Sequence, residues 1–249
     1  MEPALAAADG ITRWRSTTVG ATGGPVHVQI YTMQTTAEAL AVARLGIDHV
    51  GVTPSERGLP GEISQRLARD IVEAVAGLAT PVALSVDSDL AAIENMVHAV
   101  RPDILHLCGA PGAVGPEAVA ELRRTMPGVG VMQAIAVTGP GAIEVARSYE
   151  PVVDFLILDS VAPDIPGIGA AGVVHDWEVS AAIVDVVDVP VILAGGLGPG
   201  NVASAIATVR PWGVDSLTHT STPVDDGRFE KDLDLVTRFR EAARAGVRS

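Results

Sequence analysis

The chain is poor in several things, and each shortage closes off an option. Of 249 residues one is cysteine, Cys108, and one is lysine, Lys231. A lone cysteine excludes an intrachain disulfide and fits a cytoplasmic setting. The lone lysine falls in a charged C-terminal segment with helical periodicity, which argues against Schiff-base chemistry through an active-site lysine. Aromatic residues make up only 3%. Cations are scarce too: 17 Lys and Arg stand against 30 Asp and Glu, a formal charge of −13. Nucleic acid and anionic membrane both need a basic footprint, so neither is expected as a partner. No apolar run approaches the roughly 20 residues that span a bilayer. The N-terminus lacks the basic and apolar regions of a signal peptide, and none is expected.

What is present in quantity is small and aliphatic: 48% of the chain is hydrophobic, and 26 residues are glycine. Aliphatic runs alternate with Ala-, Glu- and Arg-rich stretches whose apolar positions recur at three- and four-residue steps. The pattern predicts strands over 26–32, 49–53, 82–86, 104–107, 130–137, 155–158, 191–194 and 214–218. Helices are predicted over 36–45, 63–76, 90–100, 116–125, 140–149, 176–187, 201–209 and 229–245. Eight of each in strict alternation indicate an α/β fold, a closed (β/α)8 TIM barrel, rather than an open doubly wound sheet. The turn after the first strand, Thr32-Met33-Gln34-Thr35, carries no G-x-G-x-x-G, which argues against a dinucleotide-binding domain. The barrel is expected to occupy residues 25–249 as one domain, behind an N-terminal extension, 1–24, to which no chemistry is assigned. The second and eighth strands are each entered by a Gly-aliphatic-Asp phrase, Gly46-Ile47-Asp48 and Gly213-Val214-Asp215. Both read as the same helix-to-strand turn, with the Asp near the strand start.

Barrels of this kind place their chemistry at the C-terminal ends of the strands. After the seventh strand comes Ala194-Gly195-Gly196-Leu197-Gly198-Pro199-Gly200-Asn201. Adjacent glycines let backbone N–H groups approach an anion, and the helix that follows points its positive end there, so a phosphate site is expected. The plainer reading is a helix-start turn. The sixth strand ends at Asp159-Ser160, followed by a loop through Gly167, Gly169 and Gly172 to His175-Asp176-Trp177. Asp159 suits a general acid or base, Asp176 suits a helix N-cap, and the loop is long enough to form a lid.

The phrases ILAGGLGPGNV and LILDS, the glycine-rich loop ending in HDW, and GVD at the eighth strand together resemble the phosphoribosylanthranilate isomerase family of tryptophan biosynthesis, over roughly residues 26–239. The resemblance implies an Amadori rearrangement. An acid protonates the ring oxygen of a phosphoribosylamine, the ring opens to a Schiff base, and a base removes the proton from C2′. No cofactor is implied. It makes Asp159 the acid and Gly195, Gly196 and Asn201 the phosphate loop. It also makes Arg57, in Pro54-Ser55-Glu56-Arg57, the partner of a substrate carboxylate.

Three departures bear on the reaction. The family's first-strand Lys-Ile-Cys-Gly, with cysteine as base, reads Gln29-Ile30-Tyr31-Thr32 here. Its Gln-Leu-His-Gly after the fourth strand reads His106-Leu107-Cys108-Gly109, and its Ser-Ser-Gly phosphate turn after the eighth reads Leu217-Thr218-His219. Thr218 and His219 then stand at the phosphate end. A tyrosine with an ordinary pKa of about 10 is a poor base at neutral pH. Period two puts His106 and Cys108 on one strand face, so the base stays open among Tyr31, His106 and Cys108. Two other readings compete. Asp87, His106, Asp159 and His219 at four strand ends suit one divalent metal, as in a phosphosugar epimerase or lyase. A non-catalytic barrel that binds a phosphorylated metabolite, as a partner subunit, is the third. The leading expectation is an isomerase of a small phosphorylated aminosugar with altered chemistry and an oligomeric state left open.

Overall fold

Eight short aliphatic segments pair in sequence order, each parallel to the one before, and the eighth closes onto the first. They are β1 (His27–Ile30), β2 (His49–Val52), β3 (Thr80–Ser85), β4 (Ile104–Leu107), β5 (Gly130–Ala136), β6 (Phe155–Asp159), β7 (Val191–Leu193) and β8 (Gly213–Ser216). Between and after them run α1 (Thr36–Arg44), α2 (Gln65–Val75), α3 (Leu90–Val100), α4 (Pro116–Thr125), α5 (Ala142–Tyr149), α6 (Trp177–Val184), α7 (Val202–Val209) and α8 (Leu233–Ala245). This computed structural model describes residues 25–161, 167–169, 174–224 and 229–245. The extension 1–24, and Gly172 with most of the expected lid, lie outside the described residues. Among those residues, no helix is long and apolar enough to cross a membrane.

Side-chain alternation divides the apolar residues between two cores. Outward-facing Val28, Ile30, Val50, Val52, Leu105, Leu107, Leu156 and Leu158 pack against the helices. Inward-facing Val82, Ile104, Met132, Phe155, Ile157 and Ile192 fill the barrel, with Trp212 closing its lower end. There His27 stacks on Trp212, ring centroids 3.8 Å apart, and His49 packs edge-on against Phe155. Burial holds His49 neutral, its pKa pulled down to about 3, so it serves as a core ring that bonds Gln29 Oε1 through Nδ1 at 3.1 Å.

Polar caps set the helix boundaries. Ser64 accepts from Leu67 N–H and Asp176 from Glu178 N–H. The sharpest departure from the periodicity is at 229–245. Asp232 Oδ1 accepts from the N–H groups of Asp234 and Leu235, so the helix starts at Leu233. The preceding residues form a strand, β10 (Phe229–Lys231), antiparallel to β9 (Ser221–Pro223). Lys231 therefore does not lie on a solvated helix: it is 8% exposed and turned inward.

Asp154, just before β6, is nearly inaccessible. Its Oδ2 accepts from Val131 N–H at 2.8 Å and pairs with Arg123 at 3.0 Å, tying α4 to the lower ends of β5 and β6. Asp154→Asn keeps the volume and removes the charge. The expected cost is about 1–2 kcal/mol, or roughly 2–8 °C in Tm by calorimetry. An unchanged Tm would show that this pair adds nothing to the barrel.

Candidate active site

The upper ends of the strands open into a cleft. Tyr31, His106, Cys108, Asp159, Gly195, Gly196, Thr218 and His219, all singled out by the sequence, line it together. Asp215 lines it too.

Asp159 ends β6 pointing inward, its Oδ1 accepting from Ser160 N–H at 2.7 Å. Backbone crowds it on two sides. A methyl group at Gly169 would lie 2.5 Å from its Oδ2, and one at Gly195 would lie 3.3 Å from its Oδ1. Burial raises its pKa to about 7 against the opposing Ser160 hydrogen bonds, so near neutrality the carboxyl holds a proton it can give up.

The three side chains considered as bases are close to one another, and each is held in a neutral form. Tyr31 Oη and His106 Nδ1 are linked at 3.1 Å, and both residues are buried. The Tyr31 ring lies directly over Gly51, where any Cβ would overlap it. Burial pushes the phenol well above its ordinary pKa and pulls His106 down to about 3. Cys108 donates its thiol proton to Ile168 O at 2.6 Å. Burial, with the charges of Asp159 and Asp215, raises the thiol far above its usual range.

At the phosphate end, Gly195 (φ +82°) and Gly196 (φ +63°) adopt the left-handed backbone that favours glycine. Asn201 does not line the cleft. Its Oδ1 accepts from Gly198 N–H at 2.8 Å and its Nδ2 donates to Gly196 O at 3.0 Å, so it braces the loop from behind. Thr218 and His219 begin a 3₁₀ turn after β8, facing the same loop.

Arg57 and Asp87 are not in the cleft. They form an ion pair and line a neighbouring groove separated from it by Leu84 and Val86, which border both. Asp87 is therefore parted from Asp159, His106 and His219, and the four proposed metal ligands do not converge. Among the described residues no group of three or more His, Cys, Asp or Glu side chains is placed to hold a metal ion.

The sequence reading missed three functional-looking groups. Asp215 was read as an entry-turn residue, yet it is the third residue of β8 and faces inward, 8% exposed, with Oδ1 lacking a hydrogen-bond partner. Burial and the Asp159 charge raise its pKa to about 8 against the pull of Lys231. Lys231 Nζ donates to Tyr31 O, to Ser221 Oγ at 2.6 Å and to Leu217 O at 3.4 Å. Burial lowers its pKa to about 7, opposed by Glu38 and Asp215. His175 bonds Ser180 Oγ through Nε2 at 2.8 Å and presses Nδ1 against Gly195. The phrase HDW marked His175, but nothing in the local sequence pointed to Lys231.

Comparison with known proteins follows the same outline. The family model for N-(5'phosphoribosyl)anthranilate (PRA) isomerase matches residues 28–242. An N-(5'-phosphoribosyl)anthranilate isomerase from Methanocella arvoryzae is 35% identical over 218 residues, covering 88% of this chain and 98% of that protein. The solved phosphoribosyl anthranilate isomerase from Thermotoga maritima superposes with a TM-score of 0.71 at 26% identity, covering 88% of this chain and 99% of its own. A phosphoribosyl anthranilate isomerase solved in complex with reduced 1-(o-carboxyphenylamino)-1-deoxyribulose 5-phosphate superposes with a TM-score of 0.69 at 25% identity, with the same coverage.

Proposed function

The chain belongs to the N-(5'-phosphoribosyl)anthranilate isomerase family, and from that premise we propose that it rearranges a phosphoribosylated amine from aldose to ketose with Asp159 as general acid. The observation that carries this reading is Asp159 itself. It is a proton-bearing carboxyl near neutral pH, set against the Gly195 backbone at the mouth of a closed barrel. The 5-phosphate would sit on the N–H groups of Gly195 and Gly196 and the turn of Thr218 and His219, which puts the ribose within reach of Asp159. Asp159 gives its proton to the ring oxygen, the C1–O bond breaks, and the nitrogen lone pair forms the iminium. Tyr31 and His106 form a polar wall that orients the sugar hydroxyls. The amine's aryl half would extend past Val86 toward Arg57, which must leave Asp87 to meet a carboxylate there.

Incubation with N-(5'-phosphoribosyl)anthranilate tests this, following loss of its fluorescence and formation of the ketose phosphate. Turnover is expected, with inorganic phosphate competing and chelator without effect. Phosphate binding without turnover would leave a non-catalytic barrel. Activity lost to chelator and restored by a divalent ion would revive the metal-dependent reading.

A further inference from the structure

We propose that Asp215 is the proton acceptor of this reaction and works with Asp159 as a carboxyl pair that shares one proton. This rests on the isomerase reading above and assigns the step that the family's first-strand cysteine leaves unfilled.

Strand register puts the two groups where such a pair is needed. Leu158 pairs with Leu193 and Leu193 with Val214, so the next residues along, Asp159, Ala194 and Asp215, lie in a row across β6, β7 and β8. Two interstrand spacings separate the Cα atoms of the carboxyl residues by roughly 9–10 Å. Ala194 between them contributes only a methyl group to the barrel interior, leaving room for a short carbon chain. On its other side Asp215 pairs with Gln29, two residues before Tyr31, so it adjoins the strand that carries the base elsewhere in the family.

Asp215 has what the other candidates lack. Its Oδ1 has no hydrogen-bond partner, whereas the Cys108 thiol and the Tyr31 phenol are engaged and buried as neutral acids. The groups facing it are Asp159, Gln29, Cys108, Tyr31 and Lys231. Lys231 is the one basic side chain among them, anchored on the carbonyls of Tyr31 and Leu217, each two residues beyond Gln29 and Asp215. Like charges this close do not both ionise easily, so one proton serves two carboxyls, and the reaction starts from the form that carries it on Asp159.

The protons balance. Asp159 gives its proton to the ring oxygen as the C1–O bond opens. Asp215 takes the proton from C2, the C2–H electrons become the C1=C2 bond, and the iminium electrons return to nitrogen. The enol hydroxyl proton then moves to C1 as the ketone forms. The enzyme is left with its proton on Asp215, and transfer back to Asp159 restores it.

The test compares wild type, Asp215→Asn and Asp215→Glu on N-(5'-phosphoribosyl)anthranilate and its C2-deuterated form. Asp215→Asn is expected to lower kcat about 10²–10⁴-fold with KM within threefold, as for loss of a general base. The deuterium effect on kcat should rise as C–H cleavage becomes limiting, and Asp215→Glu should recover at least tenfold over Asn. A Tm no lower than that of wild type and an unchanged inorganic phosphate affinity show that the Asn variant is folded. If wild type turns over and Asp215→Asn keeps more than a fifth of kcat, or loses activity only through KM, Asp215 is not the base. If wild type does not turn over, the isomerase reading falls and this role falls with it.

Discussion

Asp159→Asn should lower kcat about 10²–10⁴-fold, the usual range for removing a positioned acid, while KM for the phosphorylated substrate stays within a few-fold. The amide fits the space between Gly169 and Gly195 and can still accept from Ser160, so the phosphate loop is undisturbed. What it lacks is the transferable proton. The same substitution should stabilise the fold in a pH-dependent way. The folded-state pKa of Asp159, about 7, lies above an unfolded value of about 3.9. Below about pH 4 the carboxyl is protonated in both states, and its contribution is fully present. As pH rises through 7 the folded state must hold a crowded charge, and that contribution is lost. An asparagine never ionises, so the variant should gain on wild type between pH 4 and 7 and keep the gain above. The gain should be at most about 4 kcal/mol, with about 2–4 °C in Tm for each kcal/mol. A variant that is inactive but no more stable at pH 8 than at pH 4 would mean the carboxyl is well solvated and not a poised acid. A variant with kcat within fivefold of wild type would remove Asp159 from the reaction altogether.

The place of Asp159 in the cleft was legible because two local signals coincide: a carboxylate at the end of an aliphatic run, and glycines where backbone must come close. The barrel was legible for a similar reason, since period two and period 3.6 are local and repeat eight times. Spacing between distant residues is a different matter. The pair Arg57–Asp87 joins residues 30 apart, and no local pattern reveals that the arginine is occupied or that Asp87 is drawn away from Asp159. Asp48 and Asp215 sit in the same Gly-aliphatic-Asp phrase with different fates. Asp48 precedes β2 and accepts from Val28 N–H at the barrel floor, whereas β8 begins three residues earlier in its phrase and carries Asp215 up its inner face. The phrase fixes a turn, and the register comes from pairing with neighbouring strands. Lys231 was misplaced because Phe229-Glu230-Lys231 continues the amphipathic pattern of the helix behind it. Pairing with Ser221–Pro223 and the Asp232 cap override that pattern.

Gly195→Ala should cost at least a hundredfold in kcat/KM, whereas Gly200→Ala five residues along the same loop region should change it less than threefold. Two effects combine at Gly195. Its φ of +82° is strained for any residue with a Cβ, at about 1–2 kcal/mol. The added methyl would also stand 2.7 Å from His175 Nδ1 and 3.3 Å from Asp159 Oδ1. His175 has little freedom to withdraw, because Ser180 holds its other ring nitrogen at 2.8 Å. Relief must come from the loop or from Asp159, and either movement separates the phosphate from the acid. A misplacement of about 1 Å between a bound substrate and its catalytic group is enough for a loss of this size. At Gly200 nothing lies within 4 Å of the position a Cβ would take, so the comparison isolates the close approach from a general intolerance of loop substitutions. Inorganic phosphate affinity, measured by calorimetry on both variants, should fall only for Gly195→Ala. Equal behaviour of the two would show that the Gly195 backbone makes no contact with the substrate, and would move the phosphate away from β7.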